Sequence, residues 1–187
     1  MKILIACEFS GIVRDAFAYR GHNAWSCDLL PTERVGNHIQ DDVLKHLGDG
    51  WDMMIAFPPC TYLAASAARW FKHRQTEQKQ ALEFVRLLLN APILRIALEN
   101  PVGVISTRVR KPDQIIQPWQ FSCGETKATC LWLKCLPLLQ PTNIVPGRVS
   151  RIYYEPPSSD RWKNRSRTYQ GIAEAMASQW GTFGETE

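Results

Sequence analysis

The residues able to do chemistry sit where short apolar runs stop. In IAFPPCTYLA, residues 55 to 64, a lone cysteine, Cys60, stands behind Pro58 and Pro59 at the end of such a run. Proline fixes φ and cannot join a central ladder, so the pair ends a strand and stiffens the approach to the thiol. A second run, RIALENP, closes on Glu99, Asn100 and Pro101. A thiolate is a nucleophile where nearby charge lowers its pKa, and a carboxyl group at the next strand end can protonate a substrate ring. Read singly, both have plainer accounts: a free cysteine is commonly a core residue, and a carboxylate before Asn-Pro can cap a turn.

Nearer the N-terminus, Phe9, Ser10 and Gly11 make a glycine turn after the run KILIACE, Asp28 ends the next run, and Asp41 and Asp42 end a third. Such a turn lets a ligand approach the backbone, and an acid after the second strand commonly holds ribose hydroxyls. An ordinary turn and a solvated loop acid are the alternatives at this point. The sequence has no GxGxxG, so no dinucleotide fingerprint is present.

These residues need elements to hold them. Short runs at 2–8, 22–30, 38–43, 51–57, 95–101 and 129–139 read as strands. Helical periodicity spans Ile12 to Tyr19, where Gly21 stops it, then residues 74–91, with Ala81, Phe84, Val85 and Leu88 on one face, and finally residues 168–181. Strands alternating with helices predict an α/β fold with a parallel sheet covered on both faces. Residues 101–128 are less regular, 136–165 are expected to form a long proline-rich loop, and the tail 182–187 is expected to fray.

At 187 residues the chain is expected to form one domain. Hydrophobic residues at 45% and charged residues at 21% argue against general disorder. The formal charge of +4 permits a polyanionic partner without requiring one. No apolar run approaches the roughly 20 residues that cross a bilayer, and MKILIACEFSG shows no cleavage-site signature, so an intracellular protein without a membrane partner is expected. The cysteines at 7, 27, 60, 123, 130 and 135 form no CxxC pair, so no metal is expected and most should be free, buried thiols.

Together, FSG at 9–11, PPC at 58–60 and ENP at 99–101 resemble motifs of the DNA cytosine-5 methyltransferases, in particular the short bacteriophage or prophage members. The resemblance implies a Rossmann-like sheet that binds S-adenosylmethionine, acts on DNA in single or double strands, and works in the cytoplasm of a bacterial or phage-infected cell. It implies that Cys60 attacks carbon 6 of a cytosine while Glu99, beside Asn100, holds the ring, and that Pro58 and Pro59 fix the line of attack. Misplacing a nucleophile by ~1 Å can cost roughly 100-fold in rate.

By the same resemblance Asp28, followed by Leu29, matches the acid that holds the cofactor ribose. Asp42 with Val43 resembles the pair that meets the adenine, Asp41 being the competing choice. Gly171, Ile172 and Ala173 lie in a segment similar to the closing motif beside the cofactor. Two features depart from the family. TKATCLWL takes the place of its Arg-x-Arg strand, so Lys127 and Thr129 replace arginines, and the segment before the closing motif is much shorter than the usual specificity-reading domain. Sequence recognition is therefore expected to be slight, or supplied by something else. Basic groups in ARWFKHR (Arg69, Lys72, Arg74) and in RWKNRSR (Arg165, Arg167) are candidates for gripping phosphates; a solvated helix start is an equal reading of the first, and the second is open to the same alternative.

Overall fold

The computed structural model describes residues 1–183; of the tail 182–187 expected to fray, residues 184–187 lie outside the described residues. Seven strands form one sheet: β1 (Lys2–Ala6), β2 (Asn23–Asp28), β3 (His38–Gln40), β4 (Met53–Ala56), β5 (Arg95–Pro101), β6 (Gln114–Ile116) and β7 (Thr129–Lys134). Their order is β3-β2-β1-β4-β5-β7-β6. The helices are α1 (Ile12–Tyr19), α2 (Gln75–Leu89), α3 (Ile105–Arg108), α4 (Arg151–Tyr154), α5 (Arg161–Ser166) and α6 (Gln170–Trp180).

The central strands are continuously apolar over Ile3–Ala6, Met53–Ala56 and Ile96–Leu98 because both faces are covered there, and alternation along each strand divides the core in two. Ile3, Ile5, Met53, Ile55 and Ala97 point to one side, where Val13 and Phe17 of α1 meet Ile172, Met176 and Trp180 of α6. Leu4, Ala6, Met54, Ala56, Ile96 and Leu98 point to the other, against Leu82, Val85 and Leu88 of α2. The buried stripe of α2 is thus Leu82, Val85 and Leu88, with the expected Ala81 and Phe84 at its half-buried margin. Each aliphatic side chain so buried contributes about 1.5–3 kcal/mol.

The expected all-parallel sheet is corrected in one respect that matters for function. Strands β1 to β5 are parallel, but β7 runs antiparallel to β5, with Pro101 opposite Thr129 and Ile96 opposite Lys134. The short β6, unforeseen in the sequence, pairs with β7. Three residues with one fully buried side chain, Ile116, carry too little pattern to be read in advance. The segment expected to be loop over 136–165 contains α4 and α5 and is pinned by bridges from Phe121 to Asn143 and from Glu125 to Val149. The cysteines are all free, but only Cys27 and Cys130 are buried; Cys60 and Cys135 are exposed, contrary to the expectation of mostly buried thiols.

Candidate active site

Strand order turns scattered residues into a row. Along the carboxyl edge, from β3 to β5, stand Asp41 and Asp42, then Asp28, then Phe9 to Gly11, then Pro58 to Cys60, and last Glu99 to Pro101. Because β7 is reversed, its first residues reach the same edge, which brings Thr129 and the preceding Lys127 beside Glu99. A parallel β7 would have put both at the opposite end of the sheet.

Three ties hold the cysteine loop to the acid strand. Asn100 Nδ2 donates to the Pro58 carbonyl at 2.8 Å, in the interior. The Ala65 amide donates to Val102 O, and the Val104 amide to Leu63 O, each at 2.9 Å. Gly103 lies between those bonds, and a Cβ there would sit 2.0 Å from Leu63 O, so only glycine permits the approach. Leu63 and Ala64 donate their amides back to the Cys60 carbonyl at 3.0 and 2.9 Å, closing a turn around the cysteine. The Oδ1 of Asn100 is buried with no partner among the described residues, which leaves an acceptor at this junction.

The thiol is exposed to solvent yet flanked by protein, and its pKa is raised, first by desolvation and then by the neighbouring Glu99 carboxyl; Lys127 and Arg165 oppose the rise. Glu99 is itself pushed up by burial, against the pull of Lys127 and a hydrogen bond with Thr129. The two groups therefore favour protonated forms together, and proton loss from either is easiest when the other is neutral. Lys127 Nζ donates to the Arg165 carbonyl at 3.1 Å and lies 5.9 Å from the centre of the Tyr169 ring.

At the other end of the row, Gly11 adopts φ 73° at the entry to α1. An open helix N-terminus here would suit a phosphate. Its amides are already satisfied from within: Glu8, 4% exposed, accepts from Val13 N at 2.7 Å, Arg14 N at 3.3 Å and Ser10 Oγ at 3.1 Å. The turn is thus closed to a pyrophosphate and suits a nucleoside without one. Asp28 accepts the Leu30 amide at 3.0 Å and keeps further lone pairs for hydroxyl donors; burial raises its pKa. Leu29 beside it is exposed.

Asp42 caps the turn at Val43–Lys45 through the Leu44 amide, and Val43 is buried in the core. Asp41 is committed to Lys45 at 2.7 Å and His46 at 3.3 Å, which hold its carboxyl at about 2. Gly171 sits where a Cβ would lie 2.0 Å from Phe121 O, so close packing of α6 accounts for it.

A cavity of about 40 Å³ lies between Cys7, Phe9, Ser10 and Phe57 on one side and Ser166 and Thr168 on the other. Above it the Trp162 ring rests 5.8 Å from that of Phe9, and Arg167 grips both oxygens of Glu33 at 2.9 and 2.7 Å. The residue types would suit a nucleoside sulfonium such as S-adenosylmethionine: an aromatic wall, a carboxylate with free acceptor sites and no phosphate cradle. The space holds only a water or so, whereas ligand pockets run to about 300 Å³ or more, so admission needs the 161–168 segment to shift. A roomier concavity of about 400 Å³, bounded by Arg86, Asn90, Arg110 and Lys134, lies toward the other end of the strands. Its cations bond to backbone carbonyls and it brings no nucleophile or acid together.

Arg69, Lys72 and Arg74 lie on or just after the exposed 3-10 stretch Ala65–His73, which buries no side chain. The Arg69 guanidinium stands 5.2 Å from the Trp70 ring, and Arg74 pairs with Glu77. Arg165 donates to Ile152 O, and Arg167 is taken by Glu33. Glu8, Gly103, Glu33 and Trp162 escaped the sequence reading. Only Trp162, an aromatic inside a basic run, carried a visible signal.

No family model and no curated protein matches the chain. A solved structure of a prophage-encoded E. coli protein assigned as a DNA modification methyltransferase is similar, with a TM-score of 0.49 and 15% identity over 83% of this chain and 55% of that one. The chain therefore spans little more than half the length of that neighbour. Its own strand order, with β7 reversed between β5 and β6, defines a Rossmann-like α/β sheet with helices on both faces. Among the described residues no helix is long and apolar enough to cross a membrane, and no cluster of His, Cys, Asp and Glu suits a metal ion.

Proposed function

We propose that the chain is a DNA cytosine-5 methyltransferase, with Cys60 as nucleophile and Glu99 as the acid that holds the ring. The observation that carries this reading is the tethering of the Cys60 turn to the Glu99 strand through Asn100, Leu63 and Gly103. Phe9 to Gly11 and Asp28 would hold S-adenosylmethionine, which would supply the methyl group and be left as S-adenosylhomocysteine. The Cys60 sulfur, having lost its proton, bonds to carbon 6 of an extrahelical cytosine, and the ring's electrons move toward carbon 5. Glu99, whose pKa is raised by burial, hydrogen-bonds ring nitrogen 3 in its protonated form, and Lys127 offers a positive charge to the ring oxygen. After carbon 5 is alkylated it loses its proton to solvent, the double bond re-forms and the thiolate leaves.

Lys127 favours a second acceptor within the same chemistry. Its ammonium is a point charge shared with the Arg165 carbonyl rather than a planar fork, and it tolerates more variation in the base, so a modified cytosine or a free nucleotide fits the site as well.

The test is covalent trapping. The protein and S-adenosylmethionine are incubated with DNA containing 5-fluorocytosine, whose fluorine cannot leave as a proton does. Mass spectrometry should find a protein–DNA adduct carrying one methyl group, absent in Cys60→Ala. Binding without any adduct, on strand, duplex and nucleotide alike, would make the chain a non-catalytic binding protein.

A further inference from the structure

The segment from Arg148 to Arg167 holds six cations against two acids, Glu155 and Asp160, a surplus of four. The whole chain has a formal charge of +4, so the remainder is electrically balanced and this segment holds the entire excess. Among the cations, aromatic rings stand in water: Tyr153 and Tyr154 are each 75% exposed and Trp162 is 52% exposed. Single exposed rings are ordinary, but three within ten residues of a basic segment give that segment both charge and flat faces to offer a partner. The two tyrosines pack edge to face with centroids 5.2 Å apart, which sets one ring against the other.

This patch is tied to the site. Arg165 Nη1 donates to Ile152 O at 3.1 Å, next to Tyr153, and the Arg165 carbonyl receives Lys127 Nζ. Arg151 Nε donates to Glu125 Oε1 at 2.7 Å, and Tyr169 OH to the other oxygen of the same carboxylate at 2.7 Å. A chain bound along α4 and α5 therefore passes beside Lys127, at the edge where Cys60 and Glu99 stand.

We propose that the Arg148–Arg167 segment is a stacking platform for single-stranded DNA, with bases on Tyr153, Tyr154 and Trp162 and phosphates on Arg148, Arg161 and Lys163. The proposal rests on the reading of the acceptor as a DNA cytosine and adds the strandedness. Helices of four and six residues are too short to lie along a major groove and read base edges, and the rings have nothing to stack on in a closed duplex. A single strand presents open base faces and spares the few kcal/mol of unpairing.

Fluorescence anisotropy at about 0.1 M salt, with a labelled strand of about 15 nucleotides, its duplex and the RNA strand of the same sequence, tests this directly. The DNA strand should bind about tenfold or more tighter than the other two. Tyr153→Ala/Tyr154→Ala should weaken strand binding about tenfold or more while leaving the melting temperature unchanged, since both rings are exposed. Equal or tighter binding of duplex or RNA, or a double variant that binds the strand as well as the parent, would overturn the proposal. Cys60→Ala separates this from the chemistry: it should keep strand binding and lose the fluorocytosine adduct. An adduct that never forms while the tyrosines still govern binding would sink the reaction and leave the platform standing.

Discussion

The Glu99 carboxylate makes the Cys60 thiol harder to ionise, and the sign of that coupling can be checked. Removing the carboxylate charge in Glu99→Gln takes away one of the causes that raise the Cys60 pKa, so the thiolate fraction at a given pH should increase. Iodoacetamide labelling of Cys60 at pH 8, followed by peptide mass spectrometry, should be faster in Glu99→Gln than in the parent, while labelling of the exposed Cys135 stays the same. Glu99 also links stability to pH. Its folded pKa lies above the unfolded value of about 4.3, so the folded state binds the extra proton in that interval. The stability it lends is present below that value and is lost as pH rises through the folded pKa. Denaturant midpoints at pH 5 and pH 8 should therefore show Glu99→Gln gaining relative to the parent at the higher pH. Glu8 plays a different part: Glu8→Ala strands the Val13 and Arg14 amides in the interior and should cost about 1–3 kcal/mol, read as a lowered denaturant midpoint.

At the scale of elements, the decisive arrangement is α5 lying over the end of β1. The Arg167–Glu33 pair is about one-third exposed on both sides, so it contributes no more than about 1 kcal/mol, and it serves as a latch rather than a support. Glu33→Gln should leave the melting temperature nearly unchanged. Amide hydrogen exchange across 161–167 should speed up, and S-adenosylhomocysteine should associate faster, because the cavity beneath must widen to admit a nucleoside. Unchanged exchange in the variant would show that Trp162 on Phe9 holds the segment by itself. The same scale explains what the sequence hid. The reversal of β7 follows from the return path through β6, whereas TCLWLK looks the same read in either direction along a buried strand.

Across the whole molecule, charge is partitioned: a balanced α/β body and one cationic segment. Strand binding should then weaken with salt mainly through that segment. Each phosphate that loses its cation lowers the slope of log K against log salt by about 0.7 for a single strand, so Arg161→Gln/Lys163→Gln should reduce it by about 1.4. A slope unaffected by the double variant would assign the phosphates to Arg69 and Lys72 instead.

The sequence by itself determined which reactive groups exist and that each follows an apolar run, because strand periodicity, proline stops and glycine turns are written in adjacent residues. Cys60 and Glu99 were legible in that way, as were Gly11 and Asp28. Only the tertiary structure decided that their strand ends adjoin, that Lys127 and Thr129 arrive from a reversed strand, that Gly103 admits a foreign carbonyl and that Glu8 closes the phosphate site. Those outcomes depend on contacts between residues far apart in the chain, and the desolvation and neighbouring charges that shift the pKa values of Cys60 and Glu99 are properties of the assembled neighbourhood rather than of any segment within it.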